Sequence, residues 1–307
     1  MIKILRLMFL SLIIYLPLEA MESHVILKVN NQIITNIDLN NEYQYLLALN
    51  SELSNIEEKT ILELAKESII REQIKKNEIL KYYNLGEDRD YLEPVIRNFY
   101  EKLNIDDEDS FKNYLNKYGL KLASIKDKVE IEILWNRLIG IKYKNQLNIK
   151  EEILKQKIEK NSNDKTIKEY ELSEIIFQID STNDMENKIS LIQKKIEEQG
   201  FKNTANIYSI SESSKFGGSL GWINEKQLSQ EINLAINKLR IGEISKPIKI
   251  SNGFLILKID NLKQKEIEID KKKLLEEAIL FETNKQYGQF SIIYYNKIKL
   301  NSIISEQ

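Results

Sequence analysis

The chain has 307 residues, 42% hydrophobic and 30% charged, with 45 Lys and Arg against 47 Asp and Glu and a net charge of -2. That is enough for a long helical module together with a compact domain, and too long for one small core. The missing basic excess sets nucleic-acid binding aside, and the absence of cysteine excludes disulfides, thiolate metal sites and thiol catalysis.

Lys3 and Arg6 precede a largely apolar run over residues 7–18, which Glu19 and Ala20 close. A positive start, a short apolar stretch and a small residue at a cleavage point are the marks of a secretory signal. The run is too short for a comfortable membrane span. Residues 1–20 are therefore expected to be a signal peptide that exports the rest, although Leu18 fits poorly three places before the cut. An uncleaved anchor is the alternative.

Two β-rich runs, 25–29 and 32–35, flank Asn30-Asn31 and predict a small hairpin, since Asn tolerates positive φ. Thr35 to Asp38 offers N-cap chemistry for a helix through Tyr43, Leu46 and Leu47. Over residues 56–83 the stripe Ile61, Leu62, Leu64, Ala65, Ile69, Ile70 and Ile74 predicts a long amphipathic helix ended by Gly86. Further helices are expected near 92–103, 110–118, 122–143 and 149–160. Tyr43, Tyr45, Phe99, Tyr100 and Trp135 are aromatics that suit either a helix core or contact with a bound chain.

From about residue 168 the pattern changes. Residues 171–177 predict a strand, 184–199 a helix stopped by Gly200, and 216–222 a glycine-rich turn. A helix over 227–238 and a strand over 254–259 follow. This order implies an α+β domain with helices against a small sheet. The tail predicts one more amphipathic helix, 270–294, and a strand, 297–304, placed to pair with the N-terminal hairpin.

The stretch 170–262 resembles the parvulin family of peptidyl-prolyl isomerases. The resemblance rests on ordered blocks: ELSEIIF at 171–177, GGSLGW at 217–222, LSQEINLAINKLRIGEISKPI at 228–248 and NGFLILKI at 252–259. The flanking helices and the VNNQIIT hairpin resemble SurA-type envelope chaperones, whose N- and C-terminal segments jointly build a client-binding core. The resemblance implies an α+β, mainly helical fold, with a helical chaperone core and one parvulin-like domain where SurA itself has two. The corresponding division is a signal at 1–20, a helical module at 21–165, the parvulin-like domain at 166–264, and a C-terminal helix and strand at 265–307.

By the same resemblance, Leu228, Ile232 and Phe254 line the pocket for the substrate proline; ordinary core packing is the competing reading of each. Gly217, Gly218 and Gly221 permit the positive φ that a tight turn into Trp222 requires. The family's catalytic positions differ here. Its first-strand His matches Glu174, its second His matches Leu255, and its Cys or Asp matches Ser211 or, with a shift, Glu212. The only histidine, His24, lies far from this stretch in sequence.

The expected function is accordingly a periplasmic folding chaperone for unfolded outer-membrane or secreted polypeptides, carrying a weak or inactive isomerase domain. The alternatives are an active isomerase of X-Pro bonds and an assembly factor that reuses the fold. No cofactor and no metal are expected, for want of a His/Cys cluster, a P-loop or a dinucleotide fingerprint.

Overall fold

The computed structural model describes residues 22–87, 89–160, 166–179, 185–250, 253–266 and 270–306; the expected signal peptide and its cleavage point lie outside them. The fold is α+β and mainly helical. Strands β1 (Val25–Val29) and β2 (Gln32–Thr35) form the expected hairpin, and Asn30 takes the left-handed φ of 54°. Thr35 and Asp38 then exchange capping bonds at the start of α1 (Asn36–Leu49), which satisfies two otherwise orphaned amides.

Helices α2 (Glu58–Ile79) and α5 (Leu122–Tyr143) are the long members of the helical part, joined by the shorter α3 (Glu93–Glu101), α4 (Glu108–Asn116) and α6 (Glu151–Lys160). The stripe on α2 packs as predicted, with Ile61, Ala65, Ile69 and Ile74 buried. The helix stops at Ile79, seven residues before Gly86, in tight turns that return Tyr82 and Tyr83 amides to the Ile79 carbonyl. Tyr45, Tyr100 and Trp135 are buried, and Tyr43 and Phe99 pack partly buried against the core. The core role holds for all five aromatics.

The second sheet has the order β4-β3-β6-β5, all neighbours antiparallel. Its central strands β3 (Thr166–Phe177) and β6 (Gly253–Glu266) pair along their length, well beyond the short apolar runs visible in sequence. β4 (Ser219–Asn224), where a glycine-rich turn is expected, and β5 (Ile248–Ile250) add the edges. Gly200, at φ 84°, does not simply end α7 (Met185–Gln199); it turns the chain directly into a further helix, α8 (Phe201–Tyr208). Helices α7 and α8 cover one face of this sheet, against Ile175, Phe177 and Ile256. The helix α9 (Gln230–Ile236), shorter than expected, covers the other with Leu172, Leu255 and Leu257.

The last helix, α10 (Lys271–Leu300), runs six residues past its predicted end. Ile298, expected in a strand, packs instead beside Tyr294 and Tyr295 as part of that helix. The strand itself is the short β7 (Ile304–Glu306), paired with β1 in the sheet β2-β1-β7. Both ends of the described chain thus meet in one small sheet. Among the described residues no helix is long and apolar enough to cross a membrane.

Candidate functional site

Side chains alternate across a pleated strand, so β3 presents Leu172, Glu174 and Ile176 to one face while Ile175 and Phe177 turn to the other. The register Glu174 to Leu257 and Ile176 to Leu255 brings the matching β6 residues to the same face. Leu228 and α9 close over them. Ser229 caps α9 through the Ile232 amide at 3.3 Å, and Asn233 ties its first turn to the Glu225 carbonyl at 2.9 Å. These elements bound a cavity of about 650 Å³. Its deep wall is apolar, with Leu228, Ile232, Leu255 and Leu257 all buried. Leu220 and Trp222 stand partly exposed at its sides, and Lys263 Nζ lies 3.9 Å from the Trp222 ring centroid.

Glu174, Ser211 and Leu255, the three positions matched to the family's catalytic groups, all line this cavity, as do Glu212, Leu228 and Ile232. Phe254 does not. It pairs with Phe177 on the opposite face, ring centroids 6.0 Å apart, and packs with the cluster under α7 and α8. Neighbouring strand residues point to opposite faces, so Phe254 and Leu255 cannot both enter one cavity. His24 begins the N-terminal hairpin segment, where its amide bonds Asn36, and takes no part in the cavity lining.

Sequence reasoning missed a chain of hydroxyls. Ser213 donates to Glu174 Oε1 at 2.9 Å, Ser211 and Ser213 Oγ are 2.7 Å apart, and Ser209 and Ser211 Oγ are 2.9 Å apart. Ser213 has one proton and gives it to Glu174, so it accepts from Ser211, which in turn accepts from Ser209. Ser209 Oγ also accepts the Ile176 amide at 3.0 Å. The relay aims every hydroxyl toward the carboxyl. Burial nevertheless pushes the Glu174 carboxyl above its ordinary range, with Ser213 and Ser211 pulling the other way. The serine spacing 209, 211, 213 was the available signal.

The loop carrying these serines is bolted to the helical part. Lys75 of α2, only 1% exposed, reaches Glu132 of α5 at 2.7 Å and Glu212 at 2.5 Å, while Lys215 reaches Glu132 at 2.6 Å. The two ammonium groups hold the Glu132 carboxyl far below the usual carboxylate range, despite the opposing effect of burial. Asn50 adds bonds to Asn203 and Asn206 at 3.1 and 2.8 Å, and Phe216 sits edge-on to Phe99 at 5.2 Å. A second cavity of about 870 Å³ opens on this side and shares Glu212, Ser213 and Leu220 with the first.

Comparison with known proteins adds to this geometry. Residues 171–261 match the family described as the Rotamase PPIC-type PPIASE domain. Chaperone SurA of Hydrogenovibrio crunogenus is 24% identical over 301 residues, which cover 89% of this chain and 62% of that protein. Foldase protein PrsA 2 of Bacillus cereus is 27% identical over 208 residues, 67% of this chain and 64% of that protein. The chain thus spans less than two thirds of either curated relative. Among solved structures, a peptidylprolyl isomerase (PrsA) from Bacillus anthracis is similar at 24% identity and a TM-score of 0.32, over 76% of this chain and 95% of that one.

Proposed function

We propose that this chain carries a PpiC-type parvulin domain in a SurA-type frame and is a folding chaperone whose cavity holds X-Pro segments of unfolded polypeptides. In this reading residues 166–264 are the isomerase-type domain, and residues 21–165 and 265–307 are the client-binding core. The charge and hydropathy pattern of residues 1–20 supports export, so the clients are outer-membrane or secreted chains met in the periplasm.

The observation that carries this is the apolar cavity at which Leu228, Ile232, Leu255 and Glu174 converge. A prolyl isomerase forms no bond with its substrate. It lowers a barrier of roughly 18–20 kcal/mol by binding the twisted amide better than either planar form. The hydrophobic wall can hold proline in either isomer. Discrimination for the twisted form falls to the polar groups, and here a carboxyl fed by serines stands where the family has one imidazole and Leu255 where it has the other. We infer weak isomerisation beside effective binding.

The test uses the full chain, because the serine loop is fixed by the helical part. Exchange in proline peptides is followed by NMR, peptide binding by fluorescence anisotropy, and holdase action by suppressed aggregation of several unrelated unfolded proteins. The expected result is binding and aggregation suppression, with exchange accelerated less than about tenfold, a barrier change under about 1.4 kcal/mol. Binding should be lost in Leu228→Ala and weakened in Trp222→Ala, a residue that is 41% exposed and outside the buried core. Strong acceleration abolished by Leu228→Ala would make the chain an isomerase proper. Absence of both binding and aggregation suppression would overturn the proposal.

A further inference from the structure

The wall of the cavity opposite the sheet is made by neither the sheet nor α9. It is α10, whose Glu277, Leu280, Phe281, Asn284, Gly288 and Ile292 line the same space. Their spacing of three and four residues places them on one helical face. We propose that α10 is the second wall of the proline-binding cavity and selects the residues that flank the proline. The inference rests on the reading of this cavity as a proline site and adds to it which neighbours of the proline are admitted and which residues decide.

Three observations support a wall rather than a plug or a swinging lid. First, α10 leaves about 650 Å³ open, within the roughly 300–1,000 Å³ usual for ligand sites. Second, the helix is fixed to the helical part. Trp135 Nε1 donates to Ser291 Oγ at 2.8 Å, Tyr294 donates to Glu78 at 2.5 Å, and Tyr143 stacks on Phe290 at 4.7 Å. Third, Gly288 sits mid-helix, where glycine costs about 1 kcal/mol relative to alanine. Its φ is not positive and nothing lies within 4 Å of where a Cβ would stand. Neither backbone conformation nor packing calls for glycine here. What it provides is room in the cavity.

The chemistry of the wall sets the preference. Leu280 is 60% exposed at the mouth, and with Leu220 and Trp222 it offers an apolar rim. Around that rim stand Glu231 and Glu277; Glu212 is already held by Lys75, and Lys285, the one lysine lining the cavity among the described residues, is paired with Glu282 at 3.3 Å. Apolar residues beside the proline are admitted. Acidic or phosphorylated neighbours meet like charge.

The experiment measures the affinity of full-length protein for labelled peptides bearing Leu-Pro-Phe or Glu-Pro-Glu cores. Wild type is expected to favour the apolar peptide at least tenfold. Gly288→Leu fills the cavity from the α10 side and should weaken apolar-peptide binding at least tenfold, with an unchanged or higher melting temperature. Ile293→Phe adds bulk on the exposed side of the same helix and should bind as wild type. Leu280→Lys, a surface change that does not endanger folding, should narrow or reverse the preference against the acidic peptide. If Trp222→Ala weakens binding while Gly288→Leu and Leu280→Lys leave affinity and preference intact, the α10 wall is refuted and the proline site stands. If wild type binds neither peptide, the proline site falls and this inference with it.

Discussion

Gly218→Ala tests how the glycine turn fixes the site. Gly218 has φ +84°, and a Cβ added there would stand 2.2 Å from the Glu174 carbonyl oxygen and 3.1 Å from Ala205 Cβ. The Gly218 carbonyl also accepts the Glu174 amide at 2.8 Å. Left-handed backbone costs an L-residue about 1–2 kcal/mol, and forced overpacking adds about 1–3 kcal/mol. The sum is about 3 kcal/mol, before any loss of the Glu174 amide bond.

Gly221 is the internal control. Its φ is +71°, with nothing within 4 Å of an added Cβ, so Gly221→Ala carries the backbone cost of about 1 kcal/mol alone. Urea and thermal unfolding followed by tryptophan fluorescence should separate the two variants by about 2 kcal/mol, or about 5 °C in Tm. Gly218→Ala should also shift the NMR signals of Glu174 and Ser213, whereas Gly221→Ala should not. Equal destabilisation of the two variants would refute the claim that close approach to β3, rather than turn conformation, requires Gly218.

Glu132→Gln should destabilise the full chain by about 2 kcal/mol. That is below the roughly 3–5 kcal/mol for breaking a fully buried pair, because Glu132 is 24% exposed; urea unfolding measures it. The Glu132 pKa is lowered on folding, so its stabilisation is complete above the ordinary Glu value of about 4.3 and is lost as pH falls below it. The variant should lack that part of the acid loss. Glu174 has the opposite sign: its folded pKa is raised, so stability declines as pH rises from the ordinary Glu value to the raised one. Glu174→Gln should flatten that decline and melt higher than wild type at neutral pH; parallel Tm-against-pH curves would contradict the raised carboxyl.

Leu228, Ile232, Glu174 and Leu255 are legible from sequence because each sits in one of the ordered blocks; Ser211 lies between blocks, and its bonds to Ser209 and Ser213 belong to the loop that reaches the same cavity. The same block implies Phe254 for the cavity by resemblance, yet strand alternation forbids it alongside Leu255. Motif matching gave the strand but not its facing. Neither β4 nor β5 carries a run long enough to signal a strand, and their pairing comes from β3 and β6. The alternation Lys297, Ile298, Lys299, Leu300 looks like a strand, but α10 continues because Ile298 lands beside Tyr294 and Tyr295. Tertiary packing overrode the local pattern.

What no local pattern encodes is the composite nature of the site. The catalytic-position residues come from β3, β6 and the serine loop, the loop is held by Lys75 and Glu132 of the helical part, and the facing wall comes from α10. α10 is placed there by its contacts to Trp135 and Glu78, and by β7, which pairs with β1 near the other end of the described chain. A sheet joining residues so far apart in sequence is a long-range closure, costly in chain entropy, and its effect is to lay one helix across the mouth of the cavity. An excised segment 166–264 would present the same Leu228 and Glu174 with the wall and the loop clamp removed. Its affinity for a proline peptide would then describe an open groove, and the difference from the full chain is the contribution of the helical part to recognition.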